Sequence, residues 1–189
     1  LKERERLVKK TLLLLLFVFI PRAGFCLEGI EVFTGYLSAS LDEKQDYIGI
    51  PFFFSFDFSS QEILSRINLK GNSHLSFIVE MFTTLIVQPD PNLEGGVNFL
   101  AKYRFNFTKN IQPYIKGGVG VVYMSQHTRE QGSQYNFLPQ IGAGFHYFIS
   151  KNSAISLEYR YRHLSNAGTK KPNKGIDAKL ALIGFSFFF

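Results

Sequence analysis

Three residues near the end of the chain have the types and spacing needed for acyl-transfer chemistry. His163 and Ser165 are two positions apart in a segment of alternating polarity, and Asp177 opens the next such segment. Residues two apart on a β-strand project from the same face, so the imidazole and the hydroxyl would lie side by side. A histidine held between a carboxylate and a hydroxyl can take the serine proton as the oxygen attacks a carbonyl carbon.

The loop between these segments predicts how they pair. A hairpin folded symmetrically about residue 170 sets His163 directly opposite Asp177. Opposed residues on antiparallel strands have Cβ atoms within about 5 Å of each other. Ser165 would lie roughly 6.5–7 Å from His163 along the same face. We therefore expect one imidazole nitrogen to contact the carboxylate and the other to reach the hydroxyl.

Alternation with a period of two residues dominates the chain and predicts long strands. In 92–107 the odd-numbered positions are apolar or glycine, and most even-numbered positions are polar or charged. Eight such segments can be distinguished, each long enough to cross a bilayer when tilted. They are 29–38, 46–58, 74–87, 93–107, 112–125, 134–149, 153–165 and 176–189. The predicted fold class is all-β, an eight-stranded antiparallel transmembrane β-barrel over residues 27–189.

The connections predict which end of the barrel carries the candidate residues. Tight polar turns occur at 108–110 and 150–152, whereas 166–175 is longer. Outer-membrane barrels have short periplasmic turns and longer external loops, so 166–175 should be external. His163 and Ser165 continue the apolar phase of their segment, and Asp177 is in phase with the terminal phenylalanines. All three side chains should face outward, toward lipid, near the external rim.

The opposite phase should fill the barrel. Eight strands leave an interior occupied by side chains, and charges buried there must be paired. His146 shares this phase and is expected to be structural. The predicted interior carboxylates are Glu80, Glu94 and Glu158, and the predicted interior cations are Lys102, Arg104, Lys116, Arg160 and Arg162.

The N-terminal segment reads as a secretory signal peptide, residues 1–26. Basic residues precede an apolar run that is too short for a spanning helix, and small residues precede the expected cleavage after Cys26. Cys26 is the one cysteine, so the mature chain would have no disulfide. Six of the 21 Lys and Arg residues and two of the 15 Asp and Glu residues lie in 1–26, which leaves a net charge of +2. That charge does not indicate nucleic-acid binding.

Non-enzymatic alternatives fit the same residues. A basic and aromatic cluster at a barrel rim can simply occupy the headgroup layer, and serine or aspartate beside a loop can cap a turn. A small barrel that serves adhesion or envelope integrity is therefore a second hypothesis. No cysteine cluster, repeated carboxylate pattern or glycine-rich phosphate loop suggests a metal or nucleotide, so no cofactor is predicted.

Two motifs resemble the PagL lipid A 3-O-deacylase family. They are His-Leu-Ser-Asn-Ala-Gly at 163–168 and Pro-Asn-Lys-Gly-Ile at 172–176, followed by an acidic residue. The resemblance is strongest over 157–189, and the eight-strand pattern extends it across the chain. It implies a bacterial outer-membrane esterase that removes the ester-linked 3-hydroxyacyl chain at position 3 of lipid A.

The resemblance also implies roles for individual residues. Ser165 would be the nucleophile, His163 the general base and then acid, and Asp177 the orienting acid, where the family pattern has glutamate. Asn166 resembles the oxyanion-hole residue, with the backbone N–H groups of Ala167 or Gly168 as helpers. A turn-forming asparagine at the end of a strand is the alternative role for this residue.

The 166–175 loop adds three cations, Lys170, Lys171 and Lys174. Lipid A carries phosphates, so a cationic loop at headgroup level would assist binding. A solvated surface loop is the alternative reading. The sequence also leaves open phospholipid as the substrate of the same triad, and whether the barrel is a monomer or a homodimer.

Overall fold

The computed structural model describes residues 26–41, 46–59 and 74–189. The strands within them are β1 (Cys26–Ser40), β2 (Asp46–Ser59), β3 (His74–Gln88), β4 (Asn92–Arg104), β5 (Ile111–Met124), β6 (Tyr135–Phe148), β7 (Ser153–Leu164) and β8 (Ile176–Phe188). Each strand pairs with its neighbours in sequence, and β8 pairs with β1 to close an eight-stranded antiparallel barrel. The predicted fold class is therefore confirmed. The predicted signal peptide lies outside the described residues, except for Cys26 at the start of β1.

The strand boundaries follow the sequence prediction to within three residues. One clear difference is at the end of β4, which was expected to continue to residue 107 and instead ends at Arg104. The Phe105 N–H donates to the carbonyl of Pro113 at 2.8 Å. Proline has no N–H with which to return that hydrogen bond, so the ladder between β4 and β5 stops there.

The outer surface is apolar over the length of the strands. Aromatic and branched side chains project outward at alternate positions and are exposed, among them Phe52, Leu85, Phe99, Val119, Ile141, Leu157 and Phe185. Strands of 12 to 15 residues are long enough to cross a hydrocarbon layer of about 30 Å when tilted. Such a surface is stable in lipid because the closed ladder satisfies the backbone hydrogen bonds of every strand. No helix in the described part of the chain is long and apolar enough to cross a membrane.

Between the described strands the lumen contains a network of paired charges. The Arg160 guanidinium donates to Glu80 at 2.6 Å and to Glu158 at 2.7 Å. Lys116 lies 2.7 Å from the second of these carboxylates. Arg162 pairs with Glu94 at 2.6 Å. All three predicted carboxylates therefore neutralise cations in the interior, as buried charges require.

The partners of the other two cations differ from the prediction. Lys102 pairs with Asp57 at 2.6 Å and with Glu31 at 3.1 Å, both from the first two strands. Arg104 pairs with Glu28. The sequence prediction missed Glu28, Glu31 and Asp57 as partners. Strands that are far apart in sequence come to lie at the same height across the lumen only when β1 pairs with β8 and the barrel closes. His146 is buried, as predicted, and its Nδ1 lies 2.7 Å from the Ser156 hydroxyl.

Replacing Arg160 with methionine should destabilise the barrel. The change leaves Glu80 and Glu158 buried with one cation, Lys116, between them, and breaking such a network costs about 3–5 kcal/mol. The free energy of unfolding in urea, followed by circular dichroism in lipid vesicles, measures this loss. Lys151→Met, in an exposed turn, should change that free energy by less than about 0.5 kcal/mol. Equal stability of the two variants would contradict a structural role for the network.

Candidate active site

The end of β7 and the start of β8 bring His163 and Asp177 together. The two residues are directly paired in the ladder, and the imidazole Nδ1 lies 2.6 Å from the carboxylate Oδ1. The side chains are 40% and 59% exposed, and both project from the outer surface rather than into the lumen. The carboxylate therefore fixes the ring orientation and leaves the Nε2 edge for another partner.

Ser165 lies on the same outward face, one residue past the end of β7. Its neighbours Leu164 and Asn166 are buried, whereas His163 and Ser165 are half-buried. Backbone hydrogen bonds of 3.0 Å and 2.7 Å tie Ser165 to Phe137 of β6 and extend the pairing beyond the strand. Among the described residues the Ser165 hydroxyl makes no hydrogen bond to His163. The three side chains thus lie on one patch of the wall, in which the carboxylate–imidazole contact is formed.

Asn166 faces inward, and its side chain holds the following loop. It is fully buried, and its amide Nδ2 donates to the carbonyl of Lys170 at 2.7 Å and to that of Pro172 at 3.3 Å. Its backbone N–H donates to Asn173 Oδ1 at 2.9 Å. These contacts agree with the alternative role of a turn-forming asparagine, whereas the oxyanion-hole role implied by the resemblance stays a prediction. The particular carbonyls that Asn166 binds come together only in the folded turn.

The two residues that follow Asn166 both have a left-handed backbone conformation. Ala167 has φ 53° and Gly168 has φ 74°. A non-glycine residue at positive φ is disfavoured, and such strain concentrates at functional sites. A Cβ built on Gly168 would meet no atom within 4 Å, so the turn borders open space at this position. The backbone thus makes a left-handed turn directly after Ser165 and Asn166.

Gly175 closes the other side of the site. Its φ is +83°, and a Cβ at this position would overlap Cε1 of His163 and lie 2.9 Å from Nε2. The glycine backbone is therefore packed against the imidazole ring. The sequence contained a signal for this residue, since glycine commonly marks a left-handed turn, but its contact with the ring depends on the path of the loop.

A second external loop supports the first. Gln131 forms an isolated bridge with Asn173, and the Gly132 N–H donates to the carbonyl of Pro172 at 2.7 Å. The Lys174 N–H donates to the carbonyl of Glu130 at 2.9 Å. No local pattern in the sequence indicates this contact between two distant loops. The 126–133 loop thus fixes the 166–175 loop from the side of β5 and β6.

The three loop lysines remain at the external rim. Lys170, Lys171 and Lys174 all have exposed side chains. Their backbones are anchored through Asn166 and the 126–133 loop, so their side chains extend from a fixed turn. In the described part of the chain, no group of three or more His, Cys, Asp or Glu residues is placed to hold a metal ion.

The fold and the site together define a class, an eight-stranded membrane β-barrel with a serine and a His–Asp pair on its outer wall. The chain belongs to the PagL family, because the family profile described as "Lipid A 3-O-deacylase (PagL)" matches residues 36–186. This range contains the whole candidate site. The fold and the family place the chain in the bacterial outer membrane.

Part of the chain is also similar in sequence to individual proteins. The chain is 32% identical over 97 residues to the lipid A deacylase PagL of Pseudomonas aeruginosa, covering 45% of this chain and 54% of that protein. It is 39% identical over 67 residues to the lipid A deacylase PagL of Bordetella bronchiseptica, covering 34% of this chain and 35% of that protein. The chain therefore spans about half, or less, of the length of these relatives.

Solved structures share the architecture. The crystal structure of the outer membrane enzyme PagL is similar with a TM-score of 0.57 and 21% identity, covering 82% of this chain and 97% of that one. Neisserial surface protein A is similar with a TM-score of 0.66 and 15% identity, covering 88% of this chain and 99% of that one. At these identities the likeness is one of fold.

Replacing Gly175 with alanine should displace the imidazole from Asp177. The new methyl group would occupy the position of the ring edge, and the left-handed backbone would add strain. In protein with 15N-labelled histidine, the NMR signal of the hydrogen-bonded Nδ1 proton, assigned with His163→Ala, should be lost. Gly168→Ala has the same backbone penalty with open space around its methyl group, so it should keep the signal. Persistence of the signal in Gly175→Ala would contradict the packing described.

Proposed function

We propose that the protein is an outer-membrane serine esterase that removes the ester-linked 3-hydroxyacyl chain at position 3 of lipid A. The observation that carries this proposal is the hydrogen-bonded pair of His163 and Asp177. Both side chains lie on the outer wall of the barrel, on the same face as Ser165 and near the external rim. Acyl esters of lipids in the outer leaflet lie beside that wall. A chain of the PagL family with these groups in this position has what ester hydrolysis requires.

The reaction follows from the order of the side chains. Ser165 Oγ attacks the ester carbonyl carbon while His163 Nε2 takes its proton, and Asp177 stabilises the imidazolium through Nδ1. The tetrahedral intermediate collapses as the imidazolium gives its proton to the sugar oxygen, which leaves as the 3-hydroxyl group. Water, deprotonated by the same histidine, then attacks the acyl-enzyme. The products are a 3-hydroxy fatty acid and lipid A with one acyl chain fewer.

We assign stabilisation of the oxyanion to the left-handed turn and give Asn166 an indirect part. The Asn166 amide is already bonded to two loop carbonyls, so its contribution is to hold the turn. The backbone N–H of Asn166 is bonded to Asn173, so those of Ala167 and Gly168 are the next donors in sequence after the nucleophile. Preorganised backbone donors of this kind stabilise developing negative charge strongly in a site with little water.

The loop lysines fit a phosphorylated headgroup. Lys170, Lys171 and Lys174 extend from the external side of the site, where the sugar and phosphates of lipid A would lie when its ester is at Ser165. Ammonium groups bind phosphate through charge-assisted hydrogen bonds. Cleavage of the signal peptide, residues 1–26, stays a prediction, and the choice between a monomer and a homodimer stays open.

Ser165→Ala should abolish deacylation without unfolding the barrel. Mass spectrometry of lipid A from cells that express the wild-type protein should show the loss of one 3-hydroxyacyl chain, and the variant should reduce that loss on the order of 10³-fold or more. Ser153→Ala changes a serine at the other end of the same strand and should remain active.

An unchanged lipid A pattern with wild-type protein would reject the proposal and favour a non-enzymatic barrel. Equal loss with Ser165→Ala would reject the assigned nucleophile. Purified phospholipid, supplied separately from lipid A, tests the alternative substrate, and its faster hydrolysis would replace lipid A in the proposal.

Asp177 variants test the acid of the triad. Asp177→Asn keeps the size of the side chain but removes the charge that stabilises the imidazolium, so kcat should fall on the order of 10²–10⁴-fold. Asp177→Glu restores the residue of the family pattern and should retain most of the activity. Initial rates of release of the 3-hydroxy fatty acid measure both effects. Equal rates for wild type and Asp177→Asn would show that this carboxylate has no role in the reaction.

A further inference from the structure

A lysine faces the lipid beside the candidate site. Along the outward-facing positions of β3 to β8, all within the described part of the chain, Asp177 and Lys179 are the only aspartate, glutamate, lysine or arginine residues. Asp177 is bound to His163. The ammonium group of Lys179 has no comparable partner, because none of the ion pairs formed among the described residues includes Lys179.

The position of Lys179 relates it to the reacting ester. It follows Asp177 by two residues on the same face of β8, about 6.6 Å farther from the external rim. Tyr161 is its partner on β7 and Ser38 its partner on β1. A lysine stem lies along apolar surface while its ammonium group reaches toward the polar layer. The ammonium group can therefore rise to the level of the His163–Asp177 pair.

An ionisable side chain on a lipid-facing wall costs more the deeper it lies in the bilayer, and such residues are rare and often functional. The cost falls if an anion from the lipid itself accompanies the cation. A lipid whose ester is at Ser165 has its headgroup at this level. Lysine binds phosphate as a point charge, which suits a ligand that approaches from the side and can turn in the bilayer.

We propose that Lys179 is a substrate-binding residue that holds a phosphate of the lipid headgroup while the ester lies at Ser165. This inference rests on the proposed deacylase function and extends it. The lysines of the 166–175 loop approach the headgroup from the water side, and Lys179 approaches it from the membrane side. The headgroup is thus held from both sides, and the ester carbonyl is kept at the height of the serine.

The experiment compares substrates with and without phosphate. Phosphorylated lipid A and phosphatase-treated lipid A are presented in non-ionic detergent micelles that contain no phospholipid, so lipid A supplies the only lipid phosphate. Lys179→Met should raise KM for the phosphorylated substrate about tenfold with little change in kcat, and should leave the dephosphorylated substrate unaffected. Lys179→Arg should restore the lower KM. Lys151→Met removes a lysine from the opposite end of the barrel and should behave as wild type.

The possible outcomes distinguish a failure of phosphate binding by Lys179 from a failure of the proposed deacylase function. Equal changes on both substrates would overturn phosphate binding and indicate an effect on Asp177 instead, and no change on either would also overturn it. Hydrolysis of neither substrate by the wild-type protein would reject the deacylase function itself. Binding then decides the inference independently: Ser165→Ala protein should bind phosphorylated lipid A about tenfold more tightly than the Ser165→Ala, Lys179→Met double variant. Equal binding would overturn the role of Lys179.

Discussion

Every residue in the closed ladder faces either the lumen or the lipid, and the candidate site depends on that restriction. Residues 160 to 163 alternate between the two environments, so Arg160 and Arg162 join the lumenal network while Tyr161 and His163 face the bilayer. A register shift of one residue would exchange the two sets. The paired charges of the lumen therefore also keep His163 on the outer wall.

Within this barrel the candidate site is built mainly from one hairpin, β7 and β8, and from its contacts with β6 and the 126–133 loop. His163 and Asp177 belong to one hairpin, and Ser165 is tied to the adjacent strand through Phe137. The loop between them is then stiffened by Asn166 from within and by the 126–133 loop from the side. The strands set which way the side chains point, and the loops set the positions of backbone N–H groups and the ring. The proposed reaction needs both, because the ester must meet an oriented hydroxyl.

Much of this arrangement could be predicted from the sequence because strand alternation and hairpin symmetry are local rules. They gave all eight strands and placed His163 opposite Asp177. These local rules failed where a single residue ended a strand or where a segment distant in sequence supplied a partner. Pro113 ended β4 early by lacking an N–H, and closure of the barrel gave Lys102 partners on β1 and β2. The particular loop carbonyls that the Asn166 amide binds could not be predicted, because they come together only when the loop has folded.

Because the candidate site faces the lipid, its occupancy depends on a different concentration from that of a site facing water. A site that faces water samples molecules in three dimensions, and its occupancy follows their bulk molarity. The patch around Ser165 instead meets molecules that drift within a single leaflet, so its occupancy follows their mole fraction there. Dilution of the surrounding aqueous phase leaves that fraction unchanged, whereas crowding the leaflet with other lipids lowers it. The turnover of the proposed esterase would therefore depend on the composition of the leaflet in which it sits.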